Sequence, residues 1–160
     1  MTSKEDSKRF LSLNGDWKFH WVKNPKKRPR SFQHMKFDDS NWTSIHVPAN
    51  WEVEKFGNPI YLDERYPFTT QWPNVPTDYN PVGTYRKIVN LNSQFLSEDV
   101  ILHFAGAKSA MYIYINGEYV GYSQGSKTPA EFNISKYLNE GKTPPYYHTP
   151  KEKSVYECII

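Results

Sequence analysis

Two strands joined by two residues dominate this sequence. Met111, Ile113 and Ile115 alternate with Tyr112 and Tyr114, Asn116 and Gly117 interrupt, and Tyr119 and Val120 lead the chain back toward Tyr122. Apolar residues at every second position mark a strand with one buried face. Asn-Gly tolerates positive φ at both central positions of a type I′ turn, and that turn twists in the sense of the strands it joins. The segment is therefore predicted to be a β-hairpin with Met111, Ile113 and Ile115 turned inward.

The rest of the chain reads the same way. Trp17, Phe19 and Trp21 alternate with Lys18 and His20, giving a strand with an aromatic face after the turn at Leu13-Asn14-Gly15-Asp16. Ile45-His46-Val47 is a short strand stopped by Pro48, which has no N–H to give to a ladder. Thr84 to Leu91 and Val100 to Ala105 are two more strand-like runs. The aromatic content is high, 16% of 160 residues, and aromatic side chains suit strands. Twelve prolines and eight glycines imply many short elements joined by turns. The fold class is all-β, a sandwich or barrel, and the length is that of one domain. Residues 1–9 are polar and are expected to form a flexible N-terminus. Asn50 to Gly83 shows little periodicity and carries Tyr61, Tyr66, Phe68, Trp72 and Tyr79 among its prolines. A loop this long in a compact domain is usually functional or forms an interface.

Charge and composition exclude several classes. The net charge is +3. The cluster Lys23, Lys26, Lys27, Arg28 and Arg30 reads as a solvated loop, since no nucleic-acid-binding motif accompanies it. Neither a membrane span nor a signal peptide is visible, which leaves cytoplasm and periplasm open as compartments. The single cysteine, Cys158, allows no internal disulfide. His20, His34, His46, His103 and His148 are isolated from one another, so no metal site and no cofactor is expected. The acidic residues are scattered, and no local pattern nominates a catalytic pair.

Several segments carry a family resemblance. They are Leu13-Asn-Gly-Asp-Trp-Lys-Phe19, Phe37-Asp-Asp-Ser-Asn-Trp42, Val47-Pro-Ala-Asn-Trp51, Gly57-Asn-Pro-Ile-Tyr61, Asn80-Pro-Val-Gly-Thr-Tyr-Arg86 and Val120-Gly-Tyr-Ser-Gln-Gly-Ser-Lys-Thr-Pro-Ala-Glu-Phe132. In this order and spacing, residues 10–142 resemble the N-terminal domain of glycoside hydrolase family 2 β-galactosidases. The resemblance implies a jelly-roll β-sandwich, galactose-binding-domain-like, packed against an immunoglobulin-like domain and a catalytic barrel. It implies that the two carboxylates of the retaining reaction, about 5 Å apart, lie in the barrel and not in residues 10–142. The expected role is scaffold and subunit contacts for hydrolysis of terminal β-galactosides, with the remaining domains of such an enzyme as partners. A stand-alone carbohydrate-binding module is the alternative, with Trp51, Tyr61, Trp72 and Tyr122 as stacking surfaces; a β-galactoside would bind weakly if at all.

Two places depart from the family. Where its Asn-Pro-Pro loop brings an amide to the sugar, this chain reads Gln71-Trp72-Pro73. Gln71 keeps the amide on a longer stem, and Trp72 either stacks on a sugar ring or caps the sandwich end; these two are the candidate substrate-binding residues. After Lys142 the family continues into an apolar strand and a segment whose aspartate lines the sugar site. Residues 143–160 form instead an atypical tail with Pro144, Pro145 and Pro150. These prolines are expected to prevent a central strand there and to leave the sandwich one strand short. The resulting open sheet edge is expected to be covered by Ser154 to Ile160 or by a second chain, making a homo-oligomer.

Overall fold

A computed structural model describes residues 3–59, 73, 74, 76, 78–91, 97–138 and 153–159. Eight strands follow one another: β1 (Gly15–Val22), β2 (Thr43–Val47), β3 (Val82–Asn90), β4 (Ile101–Phe104), β5 (Ala110–Ile115), β6 (Glu118–Gln124), β7 (Ala130–Asn133) and β8 (Lys153–Ile159). Six form one antiparallel sheet in the order β2-β1-β3-β8-β5-β6, and β4 pairs with β7 in a second. The all-β expectation holds.

The hairpin is as its sequence requires. Ile115 pairs with Glu118 across a two-residue turn in which Asn116 and Gly117 have φ of 52° and 88°, both positive as a type I′ turn demands. Met111, Ile113 and Ile115 are fully buried. They meet Trp17, Phe19, Ile45, Tyr85 and Val89 from the same sheet and Leu102 and Ile134 from the other side of the core. The polar N-terminus holds a 3-10 turn at Lys4–Asp6, and Arg9 reaches Glu98 at 2.8 Å.

The middle of the six-stranded sheet is buried on both faces. Five consecutive residues of β3, Val82 to Arg86, are buried, which happens only where a strand is covered front and back. The front cover is the core. The back cover is the connection from β1 to β2, whose Phe32 and Trp42 are themselves buried. Trp42 stacks on His20 at 5.3 Å and meets Phe37 edge-on at 5.5 Å, while Phe32 lies edge-on to Tyr114 at 5.5 Å. The basic cluster of this connection, Lys23, Lys26, Lys27, Arg28 and Arg30, is exposed, as a solvated loop requires.

Two elements lay beyond the sequence reading. Ala130–Asn133 is a strand of four residues in which half-buried Ala130 and Phe132 alternate with exposed Glu131 and Asn133, a run too short to stand out in the sequence. The single turn of helix α1, Ser135–Leu138, follows it. Asn133 Oδ1 accepts from the Ser135 N–H at 3.1 Å, an N-terminal cap, and Val100 N–H donates to Ser135 Oγ at 2.8 Å, which ties the cap to the start of β4.

The tail requires a correction. The sandwich is not one strand short: Lys153–Ile159 enters the large sheet between β3 and β5, with Tyr85 opposite Cys158 on one side and Tyr112 opposite Ile159 on the other. It fills an interior slot and covers no edge. The strand begins three residues after Pro150, so the missing N–H groups of the prolines fall outside the ladder. Pro144, Pro145 and Pro150 lie outside the described residues.

Because β8 is all that joins β2-β1-β3 to β5-β6 within the sheet, deleting residues 153–160 should abolish cooperative folding. Thermal melts followed by circular dichroism should show a broad, featureless transition, and amide proton dispersion should collapse. A sharp melt in the deleted chain would mean that the sheet closes without β8.

Candidate functional site

Trp51 begins a turn in which Phe56 N–H donates to its carbonyl at 2.9 Å, and the turn drops the indole onto β3. A Cβ on Gly83 would fall 2.5 Å from the Trp51 ring and 2.8 Å from Phe19, so glycine is what lets the indole cross the strand. Phe56 meets Phe19 edge-on at 4.7 Å. On the neighbouring strand, Trp21 packs against Gly57 and Tyr79. Among the described residues, the buried Trp21 Nε1–H meets no hydrogen-bond partner. Asn80 N–H donates to the Lys23 carbonyl at 3.0 Å and fixes the return of the chain. Residues 51–57 and 79–80 thus close one end of the sandwich and flank, in sequence, the segment that contains the candidate sugar-binding residues.

Gln71 and Trp72 themselves lie outside the described residues, as does Tyr61. Trp51 is no free stacking platform, because its ring is committed to Gly83 and Phe19. Tyr122 is exposed, pairs with Tyr112 at 4.8 Å and donates from its hydroxyl to Gln124 Oε1 at 2.8 Å. It lies on the outer face of β6 while Trp51 lies on the inner face of β3, so the two form no common surface.

The most tightly built polar group is Arg86, which has only 4% of its surface exposed in the middle of β3. Its guanidinium donates to Asp39 Oδ2 at 2.6 Å, to the Phe37 carbonyl at 3.2 Å and to the His34 carbonyl at 3.2 Å. It also lies 5.5 Å from the Phe37 ring centroid. A buried arginine is tolerable only when its planar fork is met on several sides. Asp38, beside it in the sequence, accepts from Ser40 N–H at 3.0 Å. The Ser40 side chain and backbone hold the Asp38 carboxyl below the usual aspartate range. Sequence reasoning used these residues only as family markers; an arginine inside a strand run was the available signal.

Other carboxylates are likewise engaged in structural contacts. Asp16 meets His46 at 3.1 Å and Glu131 meets His103 at 3.0 Å, both pairs exposed and so worth little. Asp99 accepts from Ser135 Oγ at 3.3 Å. Among the described residues, no group of three or more His, Cys, Asp or Glu side chains is placed to hold a metal ion.

Comparison with known proteins bears on this frame. The family described as glycosyl hydrolases family 2, sugar binding domain, matches residues 10–145. This chain belongs to that family. The family 2 domain is 40% identical over 143 residues to a β-galactosidase of Priestia megaterium, covering 87% of this chain and 14% of that protein. A β-galactosidase of Vibrio cholerae is 44% identical over 131 residues, 82% of this chain and 13% of the relative. The chain therefore spans about one seventh of the length of these curated relatives. Among solved structures, a β-glucuronidase of Bacteroides uniformis is similar with a TM-score of 0.62 at 26% identity, over 93% of this chain and 14% of that one. The jelly-roll sandwich is the fold of this family 2 domain.

Asp39→Ala should lower stability by about 2–3 kcal/mol in chemical denaturation, since it strips the charged partner from a buried guanidinium. A loss under about 0.5 kcal/mol would show that the two carbonyls suffice. For Asp38 the folded pKa is depressed, so its contribution is present at neutral pH and is lost as pH falls through the folded value. A carbon-13 titration of the Asp38 carboxyl should show a midpoint below that of a free aspartate, and Ser40→Ala should raise it toward the ordinary value.

Proposed function

We propose that this domain serves a β-galactosidase as its non-catalytic sugar-binding domain, a scaffold for the domains that hydrolyse terminal β-galactosides. The observation that carries the reading is the family match over residues 10–145 together with β-galactosidase relatives near 40% identity. The engaged carboxylates Asp38, Asp39, Glu98 and Asp99 support it, because they serve a turn, ion pairs and a helix start. A retaining glycosidase needs a pair of free carboxyl groups about 5 Å apart across a sugar site. The contribution of this domain to that site is one edge at most, through Gln71 and Trp72. The partners are the remaining domains of such an enzyme, and self-association through an open sheet edge is part of the same reading.

The test is complementation. The Priestia megaterium β-galactosidase, deprived of the 143 residues that match this chain, should gain hydrolysis of a chromogenic galactoside when this chain is co-expressed with it. Neither piece should be active alone. Hydrolysis by this chain on its own would overturn the scaffold reading. Tight binding of lactose by the chain alone in calorimetry would favour a stand-alone carbohydrate-binding module.

A further inference from the structure

The outer face of the β5–β6 hairpin is the largest exposed aromatic surface among the described residues. Tyr119, Tyr112 and Tyr122 are 52%, 45% and 42% exposed. Tyr112 and Tyr122 face each other across the strands at 4.8 Å, and Tyr114 and Tyr119 do so at 5.5 Å. The hairpin residues on this face are Ala110, Tyr112, Tyr114, Tyr119, Tyr122 and Gln124. None is charged, in a chain where nearly a quarter of all residues are. Tyrosine enrichment with depletion of charge is the composition of a protein interface core.

Beside this face runs an open edge. Among the described residues, β6 is the last strand of the six-stranded sheet and pairs only with β5. The opposite edge, β2, is blunted: it is five residues long, Pro48 follows it, and an exposed ion pair of His46 with Asp16 stands on it. β6 has seven residues, no proline, and one charge, Glu118, at its first position. An edge of this kind pairs with another strand unless something prevents it.

We infer that β6 is the docking edge for β6 of a second copy, antiparallel across a two-fold axis at Tyr122. This rests on the self-association within that reading and not on its sugar chemistry. In that register Tyr122 meets its own equivalent, Val120 lies opposite Gln124 and Gly121 opposite Ser123. Glu118 falls outside the paired stretch, so no like charges meet, and a net charge of +3 per copy adds little repulsion. The Tyr112–Tyr122 pair then continues into the same pair of the second copy, giving one row of four tyrosines across four strands. Self-pairing closes at two copies because the same patch is used on both sides.

Sedimentation velocity on the full chain over a wide concentration range should show a monomer–dimer equilibrium. Tyr122→Lys places two cations on the axis and should weaken the dimer by about tenfold or more, with an unchanged circular dichroism spectrum. In a Cys158→Ser background, Tyr122→Cys should cross-link into a covalent dimer under mild oxidation; this second readout decides the matter if the lysine variant folds poorly. A monomer at every concentration overturns both this edge and self-association. A dimer indifferent to Tyr122→Lys and without the cross-link overturns only the edge. A monomer whose Tyr112 and Tyr122 resonances shift with added lactose would make this face a sugar platform instead.

Discussion

A guanidinium with almost no solvent access sits in the middle of the sheet and has to be satisfied by something other than water. Arg86 is reached by Asp39 and by the carbonyls of His34 and Phe37, so the connection between β1 and β2 cannot leave the back of the sheet without exposing an unpaired charge to an apolar surround. That requirement pulls a proline-rich, strongly basic stretch across the strands. Phe32, Phe37 and Trp42 arrive with it and seal the second face. The front face needs no such anchor, because burial of Phe19, Ile113 and Ile115 holds it by area alone. A sheet covered by aliphatic and aromatic packing on one side and by an ion-paired strap on the other is the frame on which every other feature rests.

Much of this frame was legible in the residues. The hairpin followed from alternation and one Asn-Gly pair, and β1 from three aromatics at every second position. Where a strand is buried on both faces, as β3 is, the alternation disappears, and the strand showed itself only through its β-branched and aromatic content. β7 was illegible because an alternation of four residues directly after a proline is too short to stand out. Arg86 and Asp39 stand far apart in sequence, and their meeting depends on where the strap crosses, a tertiary fact that no local pattern encodes. For the candidate site, legibility came from resemblance: nothing in the spacing of Gln71 and Trp72 points to a sugar. Of the proposed stacking aromatics, Trp51 illustrates the limit of reading side chains singly. Its indole suits a ligand, but Gly83 opposite it marks the place where one side of that half-buried indole packs against β3.

The tail shows how a rule about residues can be right and its application wrong. Proline does exclude a segment from a central strand, but residues 153–159, which form the strand, contain none. Those seven residues suffice to bridge β3 and β5, and Ser154, Val155, Tyr156 and Cys158 are ordinary strand formers. Composition of a stretch and composition of the part that pairs are different quantities.

The position of β8 also sets an order of events on the ribosome. The strand at the middle of the sheet emerges more than sixty residues after β3 and about forty after β5. Until then the nascent chain consists of a three-stranded piece and a separate hairpin, each with a bare edge waiting for the same strand. Those two edges stay unsatisfied until residues 153–159 have emerged, and they are where a holding chaperone or a stray strand from a neighbouring nascent chain has its opportunity.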